Sequence, residues 1–422
     1  MVVDAELVAE APGAILIDGD DDVIAAGSPQ MLGDVADAEV VELPRSVVLP
    51  ALVNVHTHLD LTHLGCWERP ASFLDWVRRV RAGRAMTDDA VAGSVRRGID
   101  LSRAGGVAIV GDIAGAFSRV PVEVMRDMGM AGVSFFEVFG NGRKERAGLD
   151  FIARLAGEDG GARSSFEIEP PPVRIGLQPH APYSCSAAVF RAAAETKLPL
   201  ATHLAETPEE IEFTRFGRGP FETLLREVGA WDDSCSPPGV HPIDLVLDVL
   251  GDERPFIAAH VNYLDDDHLD RLARSSVTVA YCPRASEYFG HPRDSQPVHR
   301  YRDMMARGIN VALGTDSIIC LDTAERLSVL DDMRFLLQRD GADPRTLLAM
   351  ATVNGAEALG FDRDLVTLRA GRKAGVIALE LEGGDTGGDP LSLALAHGQP
   401  PMWISSHPWT ASGESHLGAP SR

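Results

Sequence analysis

Eight short apolar runs, each followed by polar or amphipathic sequence, constrain this chain more than any other feature. They are Leu52–His56, Val107–Asp112, Gly132–Phe139, Val173–Gln178, Leu200–His203, Phe256–His260, Val277–Tyr281 and Asn310–Gly314. Segments with helical periodicity lie among them: Ala187–Thr196, Pro220–Val228, Asp266–Arg274 and Tyr301–Arg307. Strands that alternate with helices pair in parallel and bury both faces, so their sequences read as continuous apolar runs. Eight such units predict an α/β chain whose sheet closes into a (β/α)8 TIM barrel over 51–364. Outside it, Gly13–Asp18, Asp22–Gly27, Ser46–Pro50 and Val366–Leu379 have short β character. The two flanks, 1–50 and 365–422, are therefore expected to pack as one small discontinuous β-sandwich domain. Within the second flank, Glu382–Pro390 reads as a flexible loop and the last ten or so residues as disordered.

Composition narrows the partners. The chain carries 62 acidic against 39 basic residues, a formal net charge of −23. That surface repels phosphate backbones and anionic lipid, which argues against nucleic acid or membrane partners; its bland reading is a surface that keeps the protein in solution. Its cysteines, Cys66, Cys185, Cys235, Cys282 and Cys320, are scattered and odd in number, without a CxxC pair. This usage fits a reducing compartment. The first residues lack a basic flank followed by an apolar run, and no apolar stretch is long enough to span a bilayer. A cytoplasmic protein is expected, with a homodimer as the default assembly.

The chemistry-bearing residues sit where the apolar runs stop. His56-Thr57-His58 follows Leu52–Val55, and alternate residues on a strand share a face, so the two imidazoles point the same way. His203 closes Leu200–Thr202, and Asp316 follows Asn310–Thr315. A buried strand that ends in a charged residue costs free energy unless the residue is paired or binds a metal. Three histidines and a carboxylate suit a catalytic divalent ion with room for water. Glu206, three residues after His203, is placed to move a proton; a carboxylate at a helix start is its bland alternative. His260 ends its run and is read as a polarising group, or else as a satisfied core histidine.

Taken together, these residues resemble the amidohydrolase superfamily, in particular its deaminase and chlorohydrolase branch. The stretches that carry the resemblance are Leu49–His58, His203–Glu206, Ala259–His260, Tyr281–Arg284, Leu313–Ser317 and Leu368–Ala374. The resemblance implies one divalent ion, usually zinc, held by His56, His58, His203 and Asp316. Ligand type alone leaves iron and manganese open. It further implies that Glu206 and Asp316 share proton handling while His260 assists at the reacting atom.

The segment Gln178–Ser186 is similar to that of enzymes deaminating S-adenosylhomocysteine and related nucleosides, in which the residue matching His180 contacts the substrate. Cys282–His291 is similar to a subgroup with candidate aminodeoxyfutalosine deaminases; there Arg284 is read as binding a substrate carboxylate or else pairing with a surface acid, and Tyr288, Phe289 and His291 as lining the pocket or else packing at a loop. The chain departs from the family pattern at Ala51, Cys320 and Gly375, which stand where glycine, a hydroxyl residue and aspartate are common. Hydrolytic deamination of an aminopurine nucleoside is the expected reaction. The alternatives are hydrolysis of a cyclic amide, a guanidine-type bond or a ring halide at the same metal site, and a non-catalytic scaffold.

Overall fold

The computed structural model describes residues 1–405 apart from 7, 34, 36, 116–117, 160–172, 233, 236–238, 293–297 and 382–387. Most of the expected flexible loop, Glu382–Gly387, and the C-terminal tail lie outside the described residues.

Five strands open the chain: β1 (Val2–Val3), β2 (Ala9–Glu10), β3 (Ala14–Ile17), β4 (Val23–Gly27) and β5 (Ser46–Pro50). Eight follow: β6 (Leu52–Thr57), β7 (Val107–Ala114), β8 (Ala131–Val138), β9 (Val173–Pro179), β10 (Ala201–Leu204), β11 (Phe256–His260), β12 (Val277–Tyr281) and β13 (Asn310–Leu313). Two more, β14 (Val376–Glu380) and β15 (Met402–Trp403), come last.

The middle eight form two four-stranded parallel sheets, β6-β7-β8-β9 and β10-β11-β12-β13. Parallel bridges join them at both seams, Leu177 to Leu200 and Thr57 to Asp316. Backbone bonds span the same seams: Leu177 N–H donates to the Pro199 carbonyl at 2.9 Å, and Asp316 N–H to the His56 carbonyl at 3.0 Å. The strands are buried on both faces, as their apolar runs require. Leu52, Val53 and Val55 are buried, each contributing about 1.5–3 kcal/mol of hydrophobic stabilisation. Packing is close enough that Gly111 cannot be replaced, since a Cβ there would lie 2.2 Å from the Val55 carbonyl oxygen.

The chain's two flanks meet in one five-stranded sheet ordered β15-β14-β5-β1-β2, with β3 and β4 pairing separately as a hairpin. Val2, Val48, Val376 and Ala378 of the sheet share a small core with Val23 of the hairpin and with Leu368. Gly375 enters β14 at φ 147°, and a Cβ there would lie 2.5 Å from the Trp403 ring. Glycine is the residue that fits both constraints, which accounts for the missing aspartate. Among the described residues no helix is long and apolar enough to cross a membrane.

Candidate active site

The ends of β6, β10, β11 and β13 converge. Register sets His203 opposite Ala259 and Leu204 opposite His260, so the two histidines stand one step apart on neighbouring strands. The backbone then turns sharply. Ala205, His260, Val261 and Asp316 have φ of 48°, 73°, 51° and 60°, a left-handed region that non-glycine residues avoid. Strain of this kind persists where surrounding structure enforces it, commonly at functional sites.

Donor atoms of His56, His58 and His203 lie within 4.8 Å of one another. Asp316 Oδ1 stands 3.4 Å from His58 Nε2 and 4.0 Å from His56 Nε2. Both nitrogens of His56, and Nδ1 of His58, are buried without a hydrogen-bond partner. Burial, reinforced by the neighbouring imidazoles, holds His56 and His58 well below the usual histidine range. Burial likewise lowers His203 to about 4. His203 Nδ1 lies 3.1 Å from the His180 carbonyl, an acceptor that fixes the proton on Nδ1 and leaves the lone pair on Nε2, which the Gln178 amide nitrogen approaches at 3.4 Å. Neutral, unpartnered imidazoles beside a carboxylate are the donor set that a divalent cation takes. The residues present therefore fit the ion.

A second donor group, Glu137, His180 and His203, also lies within 4.8 Å. It shares His203 with the first set, so the two groups are alternative places for an ion.

Glu206 is buried, with Oε1 3.7 Å from His260 Nε2. Burial first, then the Asp316 carboxylate, pushes Glu206 well above the usual carboxylate range. The helix-start role is taken by its neighbours. The helix Pro208–Phe216 is capped by Thr207, and Glu210 accepts the N–H groups of Ala205 and Glu206 at 3.0 and 2.9 Å. Glu206 is thereby left for the cavity. His260 is placed through its backbone, since His299 Nε2 lies 2.8 Å from its carbonyl oxygen.

A cavity of about 600 Å³ opens onto His58, Glu137, His180, His203, Glu206, His260 and Asp316. Its outer wall is apolar, with Phe73, Trp76, Val80, Phe139, Leu224 and Val228. This combination of apolar lining and few convergent polar groups is typical of small-molecule sites.

Every metal-ligand and catalytic residue expected from sequence is thus brought to one place, and His180 joins them, with Nδ1 2.7 Å from Ser184 Oγ. Arg284 does not join them. Its guanidinium is buried away from the cavity, with Nη2 bonded to Asp332 at 2.9 Å and to the Ser328 carbonyl at 3.0 Å, and Nη1 bonded to Asp322 at 3.2 Å. The substrate-carboxylate role is corrected in favour of pairing with acids of the chain, since buried Asp332 and exposed Asp322 already occupy the terminal nitrogens. Tyr288, Phe289 and His291 do not line the cavity either. Phe289 packs on Phe73 and Trp76, and the His291 ring lies 2.7 Å from the Tyr263 hydroxyl. Cys320 sits behind Asp316, its Sγ 3.9 Å from Oδ2.

Sequence reasoning missed four residues. Asn54 accepts the Thr315 N–H at 3.1 Å and donates to the Thr315 hydroxyl at 2.8 Å, which fixes the turn that carries Asp316. Glu210 holds the Glu206 backbone. Glu137 and Arg84 pair at the cavity wall, 3.0 Å apart. Asn54 and Glu137 had a signal, a polar residue within an apolar run; Arg84 had none.

Residues 47–406 match the model of the amidohydrolase family. An aminodeoxyfutalosine deaminase from Deinococcus radiodurans is 30% identical over 380 residues, covering 83% of this chain and 82% of its own length. A 5-methylthioadenosine/S-adenosylhomocysteine deaminase from Moorella thermoacetica is 27% identical, over 81% of this chain and 75% of its own. Among solved structures, the zinc complex of an atrazine chlorohydrolase from Arthrobacter aurescens superimposes with a TM-score of 0.71 at 20% identity, covering 95% of this chain and 92% of its own. The chain belongs to the amidohydrolase family.

Proposed function

We propose that this amidohydrolase is a zinc-dependent deaminase that hydrolyses the exocyclic C–N bond of an aminopurine nucleoside, with aminodeoxyfutalosine as candidate substrate. The observation that carries the reading is the position of Glu206. A buried acid without a capping duty lines the same cavity as the unpartnered histidines, 3.7 Å from His260. The 30% identity to an aminodeoxyfutalosine deaminase supports the substrate class. Bridges at both seams support a closed (β/α)8 barrel over 51–364, and the shared core of sheet and hairpin supports a β-sandwich domain from 1–50 and 365–422. The enzyme works in the cytoplasm on a small molecule, as a homodimer.

His56, His58, His203 and Asp316 would hold the ion. When bound, it supplies a Lewis acid that makes water acidic near neutral pH. Glu206 then protonates the ring nitrogen next to the amino-bearing carbon, which makes that carbon electrophilic. Asp316 takes the proton from the attacking water and returns it to the departing amine, and Glu206 recovers the proton of the new hydroxyl as the C–N bond breaks, so the products are ammonia and the hydroxypurine in its keto form. His260 orients the attacking oxygen. The outer apolar wall excludes bulk water and strengthens these interactions.

The test is ammonia release by zinc-reconstituted protein from aminodeoxyfutalosine, S-adenosylhomocysteine, adenosine, guanine and cytosine. Release from an aminopurine nucleoside, with the matching hydroxypurine as product, is expected. No release from any of them with metal bound would overturn the reading in favour of a cyclic amide or ring halide.

A further inference from the structure

Glu137, at the cavity wall, is a carboxylate that the proton transfers above do not use. Its side chain is 1% exposed, and it reaches the cavity from the C-terminal end of β8. One oxygen is held: Oε2 accepts from Arg84 Nη2 at 3.0 Å, and Arg84 Nη1 donates to Asp60 at 2.8 Å. Gly115 makes room for the pair, since a Cβ there would lie 2.1 Å from Glu137 Oε2 and 2.2 Å from Arg84 Nη1. The other oxygen, Oε1, lies 3.7 Å from His180 Nε2. That spacing is too long for a hydrogen bond.

The protonation of His180 explains the gap. Ser184 Oγ donates to the Ala181 carbonyl at 3.1 Å, so it accepts from His180 Nδ1 at 2.7 Å. With the proton on Nδ1, Nε2 presents a lone pair. Glu137 Oε1 and His180 Nε2 are thus two acceptors side by side at the cavity wall, with no donor between them. Two acceptors so spaced match two donors carried on adjacent atoms of a ligand, and a vicinal diol has that arrangement.

We propose that Glu137 and His180 form a diol clamp, Glu137 accepting from one substrate hydroxyl and His180 from its neighbour, and that Glu137 selects ribosyl over deoxyribosyl substrates. Arg84 and Asp60 are positioning residues that aim Glu137. The proposal rests on the nucleoside reading above and identifies which part of the nucleoside this wall grips.

The test compares wild-type zinc-loaded enzyme on adenosine and 2′,3′-dideoxyadenosine, together with calorimetric binding of inosine and 2′,3′-dideoxyinosine, which needs no turnover. The dideoxy compounds lose two hydrogen bonds, each worth several-fold in affinity, so a preference of roughly 10–100-fold for the diol is expected in both readouts. In Glu137→Gln the amide N–H faces His180 Nε2 and closes the clamp. That variant should raise KM for adenosine and bring the ribosyl-to-dideoxy ratio toward one, with zinc content unchanged.

Equal binding of inosine and dideoxyinosine, or binding of neither, would overturn the clamp whatever the ammonia assay gives. Equal losses on both substrates in Glu137→Gln would reduce Glu137 to a structural role and overturn it as well. Preferential inosine binding without ammonia release from any aminopurine would leave the clamp standing and overturn the deaminase reading alone.

Discussion

Two buried polar clusters stand close together in this protein, and they have opposite character. Around Arg284, both terminal nitrogens are bonded to carboxylates or a carbonyl, and Asp331 is bonded in turn by Arg326 and Arg334. Charge is matched by charge within hydrogen-bond reach, and only the Nε atoms of Arg284 and Arg334 are left without a partner among the described residues. Around His56 the reverse holds: three histidine nitrogens have no partner, and their backbone neighbours sit at strained φ. Burying an unsatisfied polar group costs about 1–3 kcal/mol, so a fold keeps such a cluster only where something else completes it. The charge-matched cluster joins helices, whereas the cluster around His56 offers the neutral nitrogen donors that a ligand would take.

Removing the metal should produce the largest difference between the two. Chelation, or His58→Ala, is expected to drop deamination to background, with zinc restoring the chelated enzyme but not the variant. Thermal stability should fall with chelation too, since an ion at a thousandfold its Kd contributes about 4 kcal/mol. Calorimetry with and without chelator checks this. If chelated protein kept full activity, the cluster would be structural and the contrast would collapse.

Next in size is Glu206→Gln, which should lower kcat by about 10²–10⁴-fold while metal content stays at the wild-type level. Turnover within a few-fold of wild type would remove Glu206 from proton transfer.

The charge-matched cluster should answer in stability instead. Asp332→Ala strips a carboxylate from Arg284 and leaves a buried charge short of a partner, at a cost of about 3–5 kcal/mol, seen as a lower denaturant midpoint. Its kcat, measured well below the melting temperature, should change little. A large kcat loss without destabilisation would mean that Arg284 belongs to the site after all.

Asp112 sharpens the comparison most finely, because it lies beneath the site yet is fully bonded. It accepts the Leu59 N–H at 3.1 Å and the Ser134 hydroxyl at 3.0 Å. Burial, with the Asp60 carboxylate second, raises it from 3.8 to about 7. Between those values the folded protein keeps a proton that the unfolded chain has released, so stability falls as pH rises from about 4 to 7. Asp112→Asn should therefore gain on wild type across that window, with the gap level above it. Urea titrations at several pH values would show this, and a pH-independent gap would contradict it.

Much of the fold was legible because burial imposes a period. Phe256–His260, Val277–Tyr281 and Asp266–Arg274 are elements with the same limits in sequence and structure. The residues proposed to hold the ion and move protons stand out in sequence because they fall where apolar runs end. The two readings of Arg284 could not be separated in sequence for a physical reason. A cation after a strand looks the same whether its carboxylate comes from a substrate or from Asp332, 48 residues later. Glu137 hid inside the run Gly132–Phe139, and its partner Arg84 lies 53 residues earlier with no local mark. Tertiary pairing of this kind leaves no period to read.

The most direct test of the central claim is anomalous diffraction at the zinc edge from crystals of the zinc-loaded protein. The account predicts one peak, bounded by His56, His58, His203 and Asp316, with Glu137 and His180 free of it. A peak on Glu137, His180 and His203 instead, or none at the strand ends, would contradict it.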